Sequence, residues 1–405
     1  MAMTMGARCA AVFAAVGLVV TGCSEGADRK ANSAPPTEGS DEVDVLYPST
    51  AFGEPEWQEG PLTNDFEDQV QVFDDRVVRW GGSKLESRNP DGTIAWQLDL
   101  AEHFSDDDEE ISDVRRMAGG KLGLNTEILA SHSQTFLLDA ESGDNLEKVE
   151  IPDGWRFHFM PTRESTWGLS FQYKDDDQKN LVVNSDGSTD TFEHLQYATG
   201  KSAVTLEEEF GNELIWHPTG GRSGTTTTYR DFAGSTERAG SIKPRVVVDE
   251  DIAIIRSGEV GESATEMIDL SKGERLAVIK DCYPDEILRL DHSFSSPNGE
   301  FVAAGNAVWK GSDPTCLSDD GGTTAMAQAV YDDGTVIAID YSGHEDTATF
   351  NPAKQPGMLI RDGQRISEFE VPEGEKKEVA PTGTLSNGLA VYAGPGGSVV
   401  AVPRK

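Results

Sequence analysis

The chain has 405 residues, 37% of them hydrophobic and 42 of them glycine, which is enough apolar surface for a sizeable core and enough glycine for many short strands joined by tight turns. Its 34 Lys and Arg stand against 71 Asp and Glu, a formal net charge of −37. A surface this acidic repels nucleic acid and anionic headgroups, and basic pairs such as Arg115-Arg116 and Lys376-Lys377 are isolated, so composition argues against nucleic-acid binding.

The first eight residues carry one positive charge, and residues 9–20 (CAAVFAAVGLVV) form an apolar run. That length suits a signal peptide and falls short of the roughly 20 residues a spanning helix needs. The run ends in Val20-Thr21-Gly22-Cys23, which resembles the lipobox of bacterial lipoproteins: an aliphatic residue, two small residues, then the cysteine that takes the diacylglycerol thioether. Val20 stands where the family more often has Leu. The resemblance implies cleavage before Cys23, lipidation of Cys23, with palmitate among its acyl chains, and residence on the outer side of a cell membrane, held there by lipid.

Residues 23–65 are rich in Ser, Glu, Asp, Pro and Gly. Such a segment cannot bury enough apolar surface to order itself and reads as a disordered tether. As a flexible coil of about 40 residues it reaches roughly 35 Å. The expected division is therefore a signal peptide at 1–22, a lipidated tether at 23–65 and a folded body at 66–405.

From residue 66 onward, helical periodicity is absent. Short strand-like runs recur instead, among them QVQVF at 69–73, TFLL at 135–138, NLVV at 180–183, VVV at 246–248, IAII at 252–255 and TVIAI at 335–339. Each is bounded by Asp, Asn, Gly or Ser. One class of turn precedes a very apolar second strand and falls near Asp75, Gly120, Glu164, Gly211, Glu250, Gly299, Gly334 and Gly388. The mean spacing is about 45 residues, the period of a four-stranded propeller blade. A second class falls at Asp91-Gly92, Ser142-Gly143, Asp186-Gly187, Ala233-Gly234, Lys272-Gly273 and Asp362-Gly363. Two turn classes per unit make four strands per unit. A lone four-stranded sheet leaves both faces bare, and a ring of sheets covers them. The expectation is an all-β, single β-propeller of eight blades, with seven as the alternative. The last unit runs short of a fourth strand, and residues 42–47 (EVDVLY) are the candidate to supply it.

Leu137-Leu138-Asp139-Ala140-Glu141-Ser142-Gly143-Asp144-Asn145-Leu146 resembles the quinoprotein-type (PQQ-like) propeller repeat. Asn89-Pro90-Asp91-Gly92-Thr93-Ile94-Ala95-Trp96 resembles the same unit, with Trp96 where that repeat packs a tryptophan between blades. The segment 296–305 (SPNGEFVAAG) looks more like a WD-type blade. Quinone-dependent members use adjacent cysteines above a calcium site. This chain has no adjacent cysteines, so the resemblance points to the non-catalytic scaffold branch, without a cofactor.

Four cysteines are present. Cys9 is lost with the leader and Cys23 is the lipid site. Cys282 and Cys316 remain, an even pair in an exported protein, and are expected to form a disulfide. The seven histidines are scattered, with no H-E-x-x-H or C-x-x-C, so no metal centre is expected. The acidic runs at 106–110, 175–177, 207–209 and 249–251 lack the alternating spacing that wraps calcium and read as solvated loops. There is no G-x-S-x-G elbow, and TGGRSGTTTT at 219–228 reads as a polar turn entering a Thr-rich strand. Trp57, Trp80, Trp155, Trp167, Trp216 and Trp309 are candidates to stack on sugars, with blade packing the competing role. No catalytic residues are assigned. The expected function is a monomeric, membrane-anchored protein-binding or scaffolding module of the cell envelope. The alternative is an extracytoplasmic hydrolase or lyase acting on carbohydrate or peptide.

Overall fold

The repeating element is a hairpin whose turn is set by one side chain. In Asn89-Pro90-Asp91-Gly92-Thr93 the Asn89 N–H donates to Thr93 O, Gly92 N–H donates to Asn89 O, and Asp91 Oδ1 accepts from both the N–H and the hydroxyl of Thr93. Asn184-Ser185-Asp186-Gly187-Ser188 repeats each of these bonds. The turns at Asn298-Gly299, Asp333-Gly334 and Asn387-Gly388 use the same device, the Asx oxygen accepting the N–H two residues on. The glycine takes the left-handed φ that the turn requires, +82° at Gly92.

In the computed structural model these hairpins build eight four-stranded antiparallel sheets, arranged as an eight-bladed β-propeller within the compact unit Glu42–Lys405. The structure describes residues 43 and 45–405, apart from 64–68, 74, 129–130, 158–167, 208–212, 223, 231–242, 248–250, 258–263, 281, 283–292, 318–324, 341–355 and 370–379. Blades 1 to 7 are consecutive meanders spanning 69–99, 110–149, 155–193, 195–230, 243–280, 293–316 and 325–369. The first strand of each lies nearest the axis. Thr384 in the first strand of blade 8 donates to Val330 O in that of blade 7 at 2.6 Å, and a Cβ at Gly383 would come within 2.7 Å of Val72 in that of blade 1. The outer strands carry the exposed apolar residues Ile94, Leu276 and Ile366.

Blade 8 is where the ring closes. Gly383–Thr384, Leu389–Ala393 and Val399–Pro403 supply its first three strands, and Trp57–Glu59 adds the fourth, with Trp57 opposite Ala401 and Glu59 opposite Val399. The closing strand is therefore not 42–47, as the sequence pattern led us to expect. Val45 is buried and Val43 and Tyr47 half-buried on the core of blades 7 and 8, but none lies in a strand. Fully buried Phe52 meets Tyr392 and Phe369 edge-to-face at 5.6 and 5.9 Å and forms a β-bridge with Arg404. The body thus begins ahead of residue 66: hydrogen bonds from Gly53 to Pro403 O and from Glu56 to Ala401 O guide the chain along the last strand.

A buried charge network backs this seam. Arg79, 2% exposed, donates to Glu86 and to the carbonyls of Gly60 and Gly397, which flank the closing strand and its partner. Arg88 joins Glu86 to Glu59 of the closing strand, at 2.6 and 2.9 Å. Burial pushes the Glu86 carboxyl up, but hydrogen bonds from Arg88 and Arg79 outweigh it and hold the group below its ordinary range. At the chain end, Arg404 pairs with Asp333 in a blade 7 turn at 2.7 Å and stacks on Tyr331.

Neighbouring blades lock through their outer strands. Trp57 donates its indole N–H to Pro90 O of blade 1, and a Cβ on Gly92 would lie 2.6 Å from its ring. Trp96 of blade 1 repeats this on blade 2, donating to Ala140 O and covering Gly143. Smaller side chains take the same place elsewhere: Glu147 lies against Gly187, Thr227 donates to Ser271 O beside Gly273, and Thr315 lies against Gly363. Blades 5 and 6 are tied instead by the disulfide between Cys282 and Cys316, with Cα atoms 5.5 Å apart, just past one outer strand and at the end of the next.

Two turn assignments shift in blade 4. Its first-to-second turn is Thr199-Gly200-Lys201, and Gly211 falls between the second and third strands, outside the described residues. Its third-to-outer turn lies in 219–226, while Ala233-Gly234 falls between blades 4 and 5, also outside them. The cause is that this blade has two apolar strands in succession, Ser202–Glu207 and Glu213–Pro218, and the Phe210-Gly211-Asn212 stretch before the later one mimics the expected turn.

Two stability measurements follow. Trp57→Ala removes a half-buried indole from the seam and is expected to cost about 2–3 kcal/mol in urea unfolding. Replacing both Cys282 and Cys316 with Ser is expected to cost roughly 3.5–4 kcal/mol at most, from the entropy of a loop of separation 34.

Candidate functional site

A four-stranded blade has two edges. The outer one faces solvent, and the inner one, with its row of backbone N–H and C=O groups, faces the axis. The inner strands are Gln69–Phe73, Glu110–Met117, Trp155–Phe157, Leu195–Ala198, Lys243–Val247, Ser293–Ser295, Ala325–Val330 and Gly383–Thr384. They wall the central channel, the candidate site.

Four inner strands are interrupted by a β-bulge, and the residue at each extra position is polar. Ser112 falls between the pairs made by Ile111 and Asp113, Gln196 between those of Leu195 and Tyr197, Arg245 between those of Pro244 and Val246, and Gln328 between those of Ala327 and Ala329. A bulge breaks the in–out alternation of the strand at its extra residue. Ser112 donates to Asn125 O, and Gln196 and Gln328 donate to backbone carbonyls next to themselves.

Charge on these strands runs against that of the chain. They carry five cations, Arg115, Arg116, Arg156, Lys243 and Arg245, and two acids, Glu110 and Asp113. The eight outer strands carry the acids Glu59, Asp99, Glu147, Asp190, Glu193, Glu274, Asp313 and Glu368 against Lys148, Arg230, Arg275, Lys280 and Arg365. Buried Asp113 accepts from Arg115 Nε at 2.6 Å. Burial pushes its carboxyl up, and the Arg115 charge and hydrogen bond only partly oppose this.

The other sequence candidates fall elsewhere. Val20, Thr21, Gly22 and Cys23 lie outside the described residues, as does Trp167. In the 106–110 run, Glu109 is a structural carboxylate. It accepts from the Ser105 N–H and hydroxyl, from Thr126 and from Gln134. Burial raises its pKa, but these bonds outweigh that and bring it to about 2. Asp251, from the 249–251 run, is gripped by both Arg222 nitrogens and the Trp216 indole N–H. Trp216 lies in the third strand of its blade and, like Trp80 and Trp309, is buried in blade packing. Trp57 is committed to the seam. Half-buried Trp155 opens the inner strand of blade 3, its ring 5.3 Å from that of Tyr173 and covered by Lys179. His217 stacks on Phe192 and shares a hydrogen bond with Thr205, and His103 stacks on Phe136. Among the described residues no three His, Cys, Asp or Glu side chains converge on a metal-sized site.

Neither a family model nor a curated protein matches this chain. Among solved structures it is similar to a chain of the mitotic checkpoint complex, with 10% identity over 94% of this chain and 98% of that one and a TM-score of 0.40. It is also similar to the β-propeller domain of Cps50 (Swd1) from Myceliophteria thermophila, at 10% identity over 86% and 99% with a TM-score of 0.38. A third match is Hsv2p from Kluyveromyces lactis, at 7% identity over 81% and 89% with a TM-score of 0.37.

The inner-strand cations were missed in the sequence. The signal was present: most lie within about ten residues upstream of a first-class turn, and scoring charge by position in the blade picks them out. The depressed Glu109 pKa has a sign that can be tested. A carboxylate whose folded pKa lies below its unfolded value contributes stability above the unfolded pKa and loses it as pH falls through the folded one. Glu109→Gln is therefore expected to flatten the loss of stability between about pH 4.5 and pH 2 relative to wild type, read by urea midpoints across that window.

Proposed function

We propose that this chain is an exported lipoprotein in which a lipid on Cys23 holds a rigid β-propeller at the outer side of a cell membrane, where it binds a protein partner of the cell envelope. The observation that carries the binding role is the distribution of its connections. Strands alternate in direction, so first-to-second and third-to-outer turns leave one face of the ring and all other connections leave the opposite face. Most of the described turns on the first face are tight, although 158–168 and 219–226 also join strands there. The runs 231–242, 281–292, 341–356 and 370–382 all join strands that end on the other. Long connections between the strands of a regular frame are where proteins carry recognition. The carboxylate on the inner strands that is buried, Asp113, is held by Arg115, an arrangement suited to structure or ligand contact more than to the paired carboxylates of glycoside hydrolysis.

The address supports the anchor: a charged start, an apolar run of signal-peptide length and Val20-Thr21-Gly22-Cys23 occur in order. The interblade disulfide suits an oxidising compartment. The quinoprotein-like repeat resemblance is supported by Trp57 and Trp96, which dock on neighbouring turns in the manner of that repeat.

Cys23→Ser is expected to move the protein from the membrane fraction to the soluble exported fraction and to abolish labelling by a fatty-acid probe. Surface crosslinking of wild type followed by mass spectrometry is expected to recover a reproducible envelope protein, linked through the face that carries the long connections. Unchanged fractionation of Cys23→Ser counts against the anchor, and crosslinks confined to the tight-turn face count against the binding role.

A further inference from the structure

We infer that the outer edge of blade 3, Thr189–Glu193, is a docking site for an extended basic segment of a partner protein, added to the sheet as one more strand. Every blade ends in an outer strand with one unpaired edge, and such edges pair with other chains unless something prevents it. Seven of the eight are spoiled for this. Trp57–Glu59, Glu147–Val149, Thr227–Arg230 and Asp313–Cys316 are three or four residues long. The longer outer strands of blades 1, 5 and 7 each carry a β-bulge, at Ala95, Leu276 and Ile366, which bends and interrupts the ladder. Thr189–Glu193 has neither protection. It is five residues long, pairs in unbroken register with residues 179–183, and contains no Lys, Arg or Pro.

The phase of the hydrogen bonds fixes which backbone groups this edge offers. Asn184 N–H donates to Ser188 O at one end of the pairing, and His194 N–H donates to Gln178 O at the other. Inward and outward residues alternate along an antiparallel ladder, so Asp190 and Phe192 also bond inward. The N–H and C=O groups of Thr189, Thr191 and Glu193 therefore point away from the blade, and the side chains of the same three residues are exposed. The strand is held in place from behind: Phe192 packs on His217 of blade 4, ring centroids 5.1 Å apart, and Asp190 accepts from Asn184 at 2.8 Å. Its charge selects the occupant. Asp190 and Glu193 are the strand's charged residues, and Lys179, opposite Glu193, lies over the Trp155 and Tyr173 rings instead. A second copy of this chain, with its net charge of −37, is repelled. Lys or Arg side chains on an incoming strand instead meet acids across the new pairing. This surface lies apart from the long connections, and the inference rests neither on them nor on the lipid anchor.

The test is fluorescence polarisation of short, labelled, end-blocked peptides titrated with the full chain. A peptide of alternating lysine and valine is expected to bind. The same peptide N-methylated at every residue keeps its charge but has no backbone donors, and it is expected not to bind. A peptide of alternating glutamate and valine is also expected not to bind. Thr191→Pro removes an outward N–H and no bond of the inner ladder, and is expected to weaken the lysine peptide by about tenfold, the effect of losing one well-made hydrogen bond. Glu193→Lys is a second variant with the same expectation, and circular dichroism checks that each variant is folded. Glu274→Lys, on the outer strand of blade 5, is expected to leave affinity unchanged. Failure of the lysine peptide to bind overturns the inference, as does equal binding by its N-methylated form or by the glutamate peptide, or equal weakening by Glu274→Lys. A wild-type dimer in analytical ultracentrifugation that Thr191→Pro dissociates also overturns it, because the edge then takes a second copy.

Discussion

A ring of sheets stands or falls on its last joint. Each blade buries its faces only because another lies on either side, so the apolar clusters that stabilise the fold run across blade boundaries. Tyr197, Trp216, Ile255 and Ile268 share one cluster across blades 4 and 5, and Trp80, Trp96, Leu122 and Phe136 share another across blades 1 and 2. Opening any joint exposes two such surfaces. Seven joints are between consecutive stretches of chain. The eighth depends on three residues, Trp57–Glu59, pairing with a strand near the far end of the chain. Three antiparallel residue pairs are a small interface for that task, which explains why so much else converges there: the Trp57 indole on blade 1, the Arg79–Glu86–Arg88 network and the Phe52 plug between Tyr392 and Phe369.

The same logic explains why the repeats have drifted without the ring failing. What each joint needs is an outer-strand side chain that fills the hollow over the next blade's glycine turn. Tryptophan fills it best and donates a hydrogen bond as well. Threonine at 227 keeps the bond and loses the bulk, and threonine at 315 keeps only contact. Between blades 5 and 6, where a Cβ on Gly311 would meet nothing within 4 Å, a covalent link supplies the tie. Packing, hydrogen bonding and a disulfide thus substitute for one another around a single architectural position.

How much of this was legible in the sequence depended on the range of the interaction. The Asx-Gly turns are local: Asp91, Asp186 and Asn298 fix them with one side-chain oxygen, and they were placed correctly along with the four-strand period. The Cys282–Cys316 pair followed from parity and the expectation of export. Blade 4 misled because two adjacent apolar strands look alike, and only pairing distinguishes second from third. The closing strand was misplaced for a related reason. Its sequence, Trp57-Gln58-Glu59, has no apolar alternation of its own and becomes a strand only through the edge offered by Val399–Pro403. The more apolar 42–47 stretch was the stronger candidate by pattern, and its residues Val43, Val45 and Tyr47 pack against the core outside any strand. The inner-strand cations stayed hidden because a position facing the axis is defined by strand order, which pattern alone does not number.

The pairing of Trp57 with Ala401 also sets an order of events for a chain that emerges amino end first. The strand that completes the ring leaves the ribosome, or a translocation pore, more than three hundred residues ahead of its mate. Through that interval blade 1 has an uncovered flank and Arg79 lacks the Gly397 carbonyl. Contacts this distant in sequence make folding slow and leave intermediates prone to aggregation. The heavy negative charge then has a use before the native state exists, since like-charged unfinished rings repel one another while they wait for their final strand.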